Sequence, residues 1–145
     1  MLEVVTRREW GAAEASRVEY IRKPSSVKYI FLVSTHQVKC NDGNTCQRIV
    51  KDIQRRHITF HRVPDIKYNF LVGGDGAVYE GRGFNVVGTI PCPYYQLRFS
   101  SIMIALIGEF SESPPPLNML DAFRGIVKTG IDRGYIAPKT LVFHL

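Results

Sequence analysis

This chain of 145 residues is notable first for what it does not contain. Its longest apolar run, Ile102 to Ile107, is far below the ~20 residues a membrane-spanning helix needs. Its opening, Met1-Leu2-Glu3-Val4, carries an acid and no long apolar core, so it does not read as a secretory leader. No internal repeat and no low-complexity segment interrupts it. Lysine and arginine are scattered, and there is no recognition-helix, zinc-finger or RNP pattern. Nucleic acid is therefore not the expected partner, despite a net charge of +6 and a pI near 9.4. Cysteine is scarce, with three in all. Cys40 and Cys46 flank the turn-forming insert Asn41-Asp42-Gly43-Asn44-Thr45, which can bring their sulfurs within bonding range. A small clamp fits better than a metal pair, because no third and fourth ligand follow at finger spacing. Cys92 is left over in Pro91-Cys92-Pro93, a loop setting.

What is present reads as one domain. The hydrophobic fraction of 45% and charged fraction of 22% are ordinary for a globular chain. The basic balance favours an anionic partner, and a bacterial wall glycan suits it as well as a nucleic acid does. The chain is organised around the stretch Tyr68 to Phe84. Phe70, Val72, Val78 and Tyr79 are strand formers, and Gly74-Asp75-Gly76 supplies the reversal of a β-hairpin. Gly81-Arg82-Gly83 follows; two glycines around one arginine are a common way to build a carboxylate or phosphate contact, but from the hairpin alone a loop with a solvated Arg is the favoured reading.

The remaining elements follow in order. Val4 to Trp10 reads as an extended segment whose single Trp packs on the core. Ala12 to Ser26 reads as a surface connection. Val27 to Val33 is a buried strand ending in Ser34-Thr35-His36-Gln37, and strand ends are where sites collect. Cys46 to Ile58 is a helix capped by Thr45, with Ile49, Val50, Ile53 and His57 on one face. Asn85 to Phe99 is a loop carrying Tyr94 and Tyr95. Ser101 to Phe110 is a central strand covered on both faces. Pro114-Pro115-Pro116 opens a second helix with Leu117, Leu120, Phe123, Ile126, Val127 and Ile131 in period, stopped by Gly134. Leu141 to Leu145 is a final strand. The fold class is α/β: a central mixed β-sheet flanked by helices.

Taken together, these pieces resemble the peptidoglycan recognition protein domain, the animal relative of type-2 N-acetylmuramoyl-L-alanine amidases. The resemblance runs over nearly the whole chain. It rests on Arg7-Arg8-Glu9-Trp10-Gly11-Ala12, Cys40 with Cys46, and Ile53-Gln54 followed by His57. Its most specific parts are Asp65-Ile66-Lys67-Tyr68-Asn69-Phe70-Leu71-Val72-Gly73-Gly74-Asp75-Gly76 and Val78-Tyr79-Glu80-Gly81-Arg82-Gly83-Phe84. It implies that fold as a single domain over residues 1–145, C-terminally shortened, with the family's last helix absent from these residues. It also implies a Cys40–Cys46 disulfide.

The resemblance further implies a zinc hydrolase ancestry in which two His and one Cys hold the metal and a Tyr assists. Tyr68 matches the assisting Tyr, and His144 matches the second His. Ser34 takes the first His position, and a neutral hydroxyl is a poor zinc ligand. The Cys would lie beyond Leu145. His36 could share Ser34's face, yet His36 and His144 make only two ligands, and Cys92 sits in another loop. The expectation is a non-catalytic member with no cofactor and no metal, Ser34 and His144 being degenerate positions.

The residues expected to touch ligand are Arg82, Gly83, Phe84, Tyr68, His36 and Tyr94. Arg82 implies a preference for peptidoglycan fragments of the meso-diaminopimelic-acid type, whose extra carboxylate a guanidinium holds bidentately. Ile90 replaces a cleft His of the family, removing a polar partner. Two functions follow as expectations: a non-enzymatic receptor in innate immune recognition, or an interaction module that has lost ligand binding and pairs with other peptidoglycan recognition proteins. The cysteine pair favours a secreted form or receptor ectodomain, and the lack of a leader or membrane span favours a cytosolic form.

Overall fold

A computed structural model describes residues 2–145. Six strands form one sheet: β1 (Val4–Val5), β2 (Val27–Ser34), β3 (Phe70–Val72), β4 (Val78–Glu80), β5 (Ser101–Leu106) and β6 (Ile136–His144). Their order is β1-β4-β3-β5-β2-β6, and every neighbouring pair is parallel except the β3–β4 hairpin. Parallel strands need long crossovers, and helices α2 (Gly43–Thr59) and α3 (Leu117–Asp132) supply them on opposite faces.

Strand β5 lies between β3 and β2, and all six of its residues are buried. On the α3 face the core is built from Ile30, Leu32, Phe70, Ile102 and Ile104 packed on Met119, Ala122 and Ile126. On the other face Leu71, Tyr79, Ala105 and Ile107 pack on Trp10, Val50 and Ile53. The hairpin is as expected: Gly73 N–H donates to Ala77 O, and Asp75 accepts from Tyr79 Oη at 2.6 Å. Cys40 and Cys46 are disulfide-bonded and tie the start of α2 to the loop before it.

Several boundaries differ from the sequence reading. Val4 to Trp10 is not simply extended. After β1 comes a one-turn helix, α1 (Arg7–Trp10), held by a capping box in which Thr6 and Glu9 bond each other's backbone N–H. Trp10 is buried, and its Nε1 donates to Glu80 O at 2.8 Å. Helix α2 starts at Gly43, and its cap is Asp42, whose carboxylate accepts from Thr45 N at 2.8 Å, so Thr45 is inside the helix. The loop after Asn85 contains a 3-10 helix, Tyr95–Ser100. Strand β5 stops at Leu106, short of Phe110. Helix α3 turns Met119, Ala122, Ile126 and Gly130 inward, whereas Leu117 is 75% exposed. Strand β6 begins at Ile136, five residues before the expected Leu141.

Candidate functional site

The two faces of the sheet are covered unequally. Helix α2 packs on the β4–β3 side of its face and on Ala105 of β5, while the segment Tyr94 to Ser100 with its 3-10 helix lies over the β5–β2 end. Alternation along the strands brings Phe31 and Met103 to a floor beneath that segment, with Ile90 buried on them. Tyr29, Tyr94, Leu97 and Phe143 pack around these three. Tyr94 lies 5.1 Å from Phe31 and 5.9 Å from Phe143, ring centre to ring centre. Tyr68 joins the floor to the helix: it packs on this cluster and meets the His57 ring edge-on at 5.4 Å. Burial raises the Tyr68 hydroxyl above its ordinary pKa.

His57 is buried, and its Nδ1 accepts the Lys67 N–H at 3.0 Å. Burial first, then the neighbouring charges of Lys67, His61 and Arg82, lower its pKa to about 4. It is a neutral acceptor that fixes the approach to the hairpin rather than a titrating base.

Arg82 stands at the other end of the loop. It spends three donors on the protein: Nε on Ile66 O at 2.6 Å, Nη1 on Val87 O at 2.9 Å and Nη2 on Thr89 Oγ1 at 3.1 Å. A guanidinium has five N–H groups, so one on each Nη remains. Burial lowers its pKa, and Asp65 opposes that shift. It lines a cavity of about 600 Å³ together with Arg17, Arg98, Thr89, Ile90 and Glu19. Arg98 stacks over Tyr95 at 4.2 Å and Phe99 at 4.7 Å. Three guanidinium groups against one carboxylate make this cavity attractive to anions.

Gly83 has φ +84°, which only glycine adopts without strain, and it sends Phe84 to the opposite face of the sheet. There Phe84 stacks on Tyr135 at 5.1 Å and packs against Phe70 at 4.5 Å. The structure therefore separates Phe84 from Tyr68 and Tyr94.

Ser34, His36 and His144 gather in a third place, a cavity of about 360 Å³ at the C-terminal ends of β2, β5 and β6. Ser34 pairs with Leu106 and takes its face, the α3 side. His144 pairs with Leu32 and does the same. The residue at the end of β2 that faces the aromatic floor is Val33. His36 leaves the strand with φ +57°, and its Nδ1 contacts Glu109 Oε2 at 2.7 Å with Ser34 Oγ 3.2 Å away. The bond to His36 holds the Glu109 carboxylate below its ordinary pKa. Among the described residues no group of three or more His, Cys, Asp or Glu is placed to hold a metal ion.

The sequence reading missed the residue that ties these parts together. Asn69 is fully buried. Its Nδ2 donates to Gly83 O at 2.9 Å and Val86 O at 2.7 Å, and its Oδ1 accepts from Met103 N at 2.7 Å. It clamps the Arg82 loop to β5. Its signal was a lone amide between Tyr68 and Phe70 in a strand-forming run. Arg17, Arg98 and Thr89 were also missed, because they meet only through the tertiary fold.

Comparison with known proteins agrees with this architecture. Residues 23–144 match the N-acetylmuramoyl-L-alanine amidase family. The chain is 34% identical over 135 residues to peptidoglycan recognition protein 1 of Bos indicus, covering 93% of this chain and 69% of that protein. Human PGRP-IBETAC, solved in complex with glycosamyl muramyl pentapeptide, superposes with TM-score 0.87 at 34% identity, covering 97% of this chain and 82% of that one. The ectodomain complex of peptidoglycan recognition proteins LCa and LCx, solved with tracheal cytotoxin bound, gives TM-score 0.91 at 28% identity over 99% of this chain and 84% of that one.

Proposed function

The chain belongs to the peptidoglycan recognition protein family, and from that membership we propose that it is a non-catalytic receptor of innate immunity that binds peptidoglycan fragments, preferring those with a diaminopimelate carboxylate. Arg82 carries this reading. It lines the basic cavity, is held rigidly by three internal bonds, and keeps one N–H on each Nη for a carboxylate fork. The aromatic floor of Phe31, Tyr94 and Phe143 lies near Ile90, which joins that floor to the cavity wall. Relatives solved with muramyl pentapeptide or tracheal cytotoxin bound share this fold.

The donor set does not fit a catalytic zinc ion. Where the expected positions meet, at the C-terminal ends of β2 and β6, Ser34 offers only a neutral hydroxyl beside His144, and His36 Nδ1 is engaged with Glu109 Oε2. Four-coordinate zinc with an open position needs three protein ligands, and among the described residues no such group of three gathers.

Isothermal titration with a diaminopimelate-type muropeptide, beside a lysine-type one, tests the proposal. Saturable heat with the first and weaker or no heat with the second is the expected result. Heat with neither, from protein folded by circular dichroism, overturns it. A second reading, a module that pairs with other members of the family, is favoured by one observation: Ile90 is 4% exposed and closes the floor with an apolar group. It predicts no heat with either muropeptide.

A further inference from the structure

The cavity at Arg82 is not uniformly basic. Its wall carries Arg17, Arg82 and Arg98, and among them a single carboxylate, Glu19. For a pure anion site that carboxylate is a cost, since it repels the ligand that the guanidinium groups attract. The guanidinium groups do not consume it either. Arg98 Nε is buried without a hydrogen-bond partner, and Glu19 Oε1 stands 4.0 Å from it, outside bonding range. Arg98 is held instead by Tyr95 and Phe99: its plane lies over both rings, and its Nη1 donates to Tyr95 O at 3.2 Å.

Glu19 is fixed relative to Arg82 through one residue. Glu19 O accepts the Val87 N–H at 2.8 Å, and Val87 O accepts Arg82 Nη1 at 2.9 Å. The Glu19 backbone is thus pinned to the residue that orients Arg82. Its side chain is more than half exposed, and among the described residues its only close cation is Arg98. Both oxygens of this carboxylate are open to a ligand. So is one N–H on each Nη of Arg82. One cavity therefore offers a fork of donors and, beside it, a free acceptor of opposite charge.

We propose that this cavity reads a whole amino-acid end group: Arg82 takes the carboxylate, and Glu19 takes the ammonium on the same carbon. This rests on Arg82 being the carboxylate holder, as proposed above, and narrows the ligand further. A diaminopimelate side chain ends in such a carbon when the stem is not crosslinked. Val63 and Ile90 on the same wall suit the methylenes that lead to it. In a crosslinked stem that nitrogen is an amide, which carries no charge for Glu19 and brings an acyl chain into the cavity. The favoured ligand is therefore a free, uncrosslinked stem. A lysine-type stem presents the ammonium without the carboxylate and engages Glu19 alone.

Isothermal titration with three forms of one diaminopimelate muropeptide tests this: the free end group, the distal amine acetylated, and the distal carboxylate amidated. Wild type should bind the free form, and acetylation should weaken binding about tenfold, the scale of one charge-assisted contact. Glu19→Gln keeps the size and the backbone bond to Val87 and removes the charge. It should bind the free form about tenfold more weakly than wild type and scarcely distinguish the free form from the acetylated one. It should still prefer both to the amidated form, which Arg82 governs. Equal affinity of wild type for the free and acetylated forms overturns the proposal and leaves the Arg82 reading standing. So does a Glu19→Gln variant that discriminates against acetylation as strongly as wild type. Amidation without effect overturns the Arg82 reading and the proposal with it, as does heat with none of the three forms from folded protein.

Discussion

Acid should unfold this protein through one histidine. His57 Nδ1 accepts the Lys67 N–H at 3.0 Å, so protonation there places two donors face to face. The new charge would sit buried beside Lys67, His61 and Arg82, and these effects lower the His57 pKa from 6.5 to about 4. The unfolded chain takes up the proton below its own pKa of 6.5, and the folded chain resists until about 4. Stability is therefore complete above pH 6.5 and falls as pH drops toward 4. At about 1.4 kcal/mol per pH unit the loss reaches roughly 3 kcal/mol, or about 10 °C in Tm for a chain of this size. Urea denaturation at half-unit steps from pH 7.5 to pH 4 measures it. His57→Gln supplies a neutral acceptor of similar reach, and its stability should be nearly flat over the same interval. If wild type and variant fall in parallel, the acid sensitivity lies elsewhere and the reasoning fails. Carboxylates such as Glu109, whose pKa is lowered by its bond to His36, act in the same direction but at lower pH.

Two further outcomes are expected. Asn69→Ala leaves Gly83 O, Val86 O and Met103 N without their side-chain partner in a buried place, so it should lose roughly 3 kcal/mol or more, read as a Tm drop of about 10 °C or failure to fold. A cost below ~1 kcal/mol would mean that the loop finds other partners. Purified protein dialysed against zinc should retain less than stoichiometric metal by mass spectrometry, with no change in Tm on adding chelator; one tightly held zinc per chain would refute the degenerate-site reading.

Much of the architecture was readable because its signals are local. Tyr68 to Phe84 carries strand formers on either side of a glycine turn, and the hairpin is where expected. Ile102 to Leu106 is apolar without a break, which is what a strand covered on both faces must be. Cys40 and Cys46 flank a turn, and they pair. The misses arise where a neighbour or a parity decides. Thr6 and Glu9 spelled out a capping box, yet the β-branched residues before them drew the whole segment into an extended reading. In α3 the expected Phe123, Ile126, Val127 and Ile131 do pack on the core, but in the first turns tertiary packing chose Met119 and Ala122 over Leu117. Ser34 and His144, matched in the sequence as one pair of positions, lie on the same face at one cavity, because a side-chain period of two keeps residues of like parity on one side of the sheet. Arg82 was picked out, but its three internal acceptors come from segments no sequence window joins.

The strand order also sets a timetable for synthesis. Strand β2 is made early, but both of its neighbours, β5 and β6, lie far downstream, with the whole hairpin and α2 in between. Until Leu106 has cleared the ribosome, the apolar run Val27 to Val33 has no partner on either side. The hairpin Phe70 to Glu80 can close in the meantime, being local, yet it cannot shelter β2. For much of translation the nascent chain carries an unpaired, β-prone segment with a single charge, Lys28, of the kind that chaperones bind and that aggregates when they do not. Expression yield should therefore respond more to chaperone supply, and to slowed elongation before Ser101, than to substitutions on the surface of the finished fold.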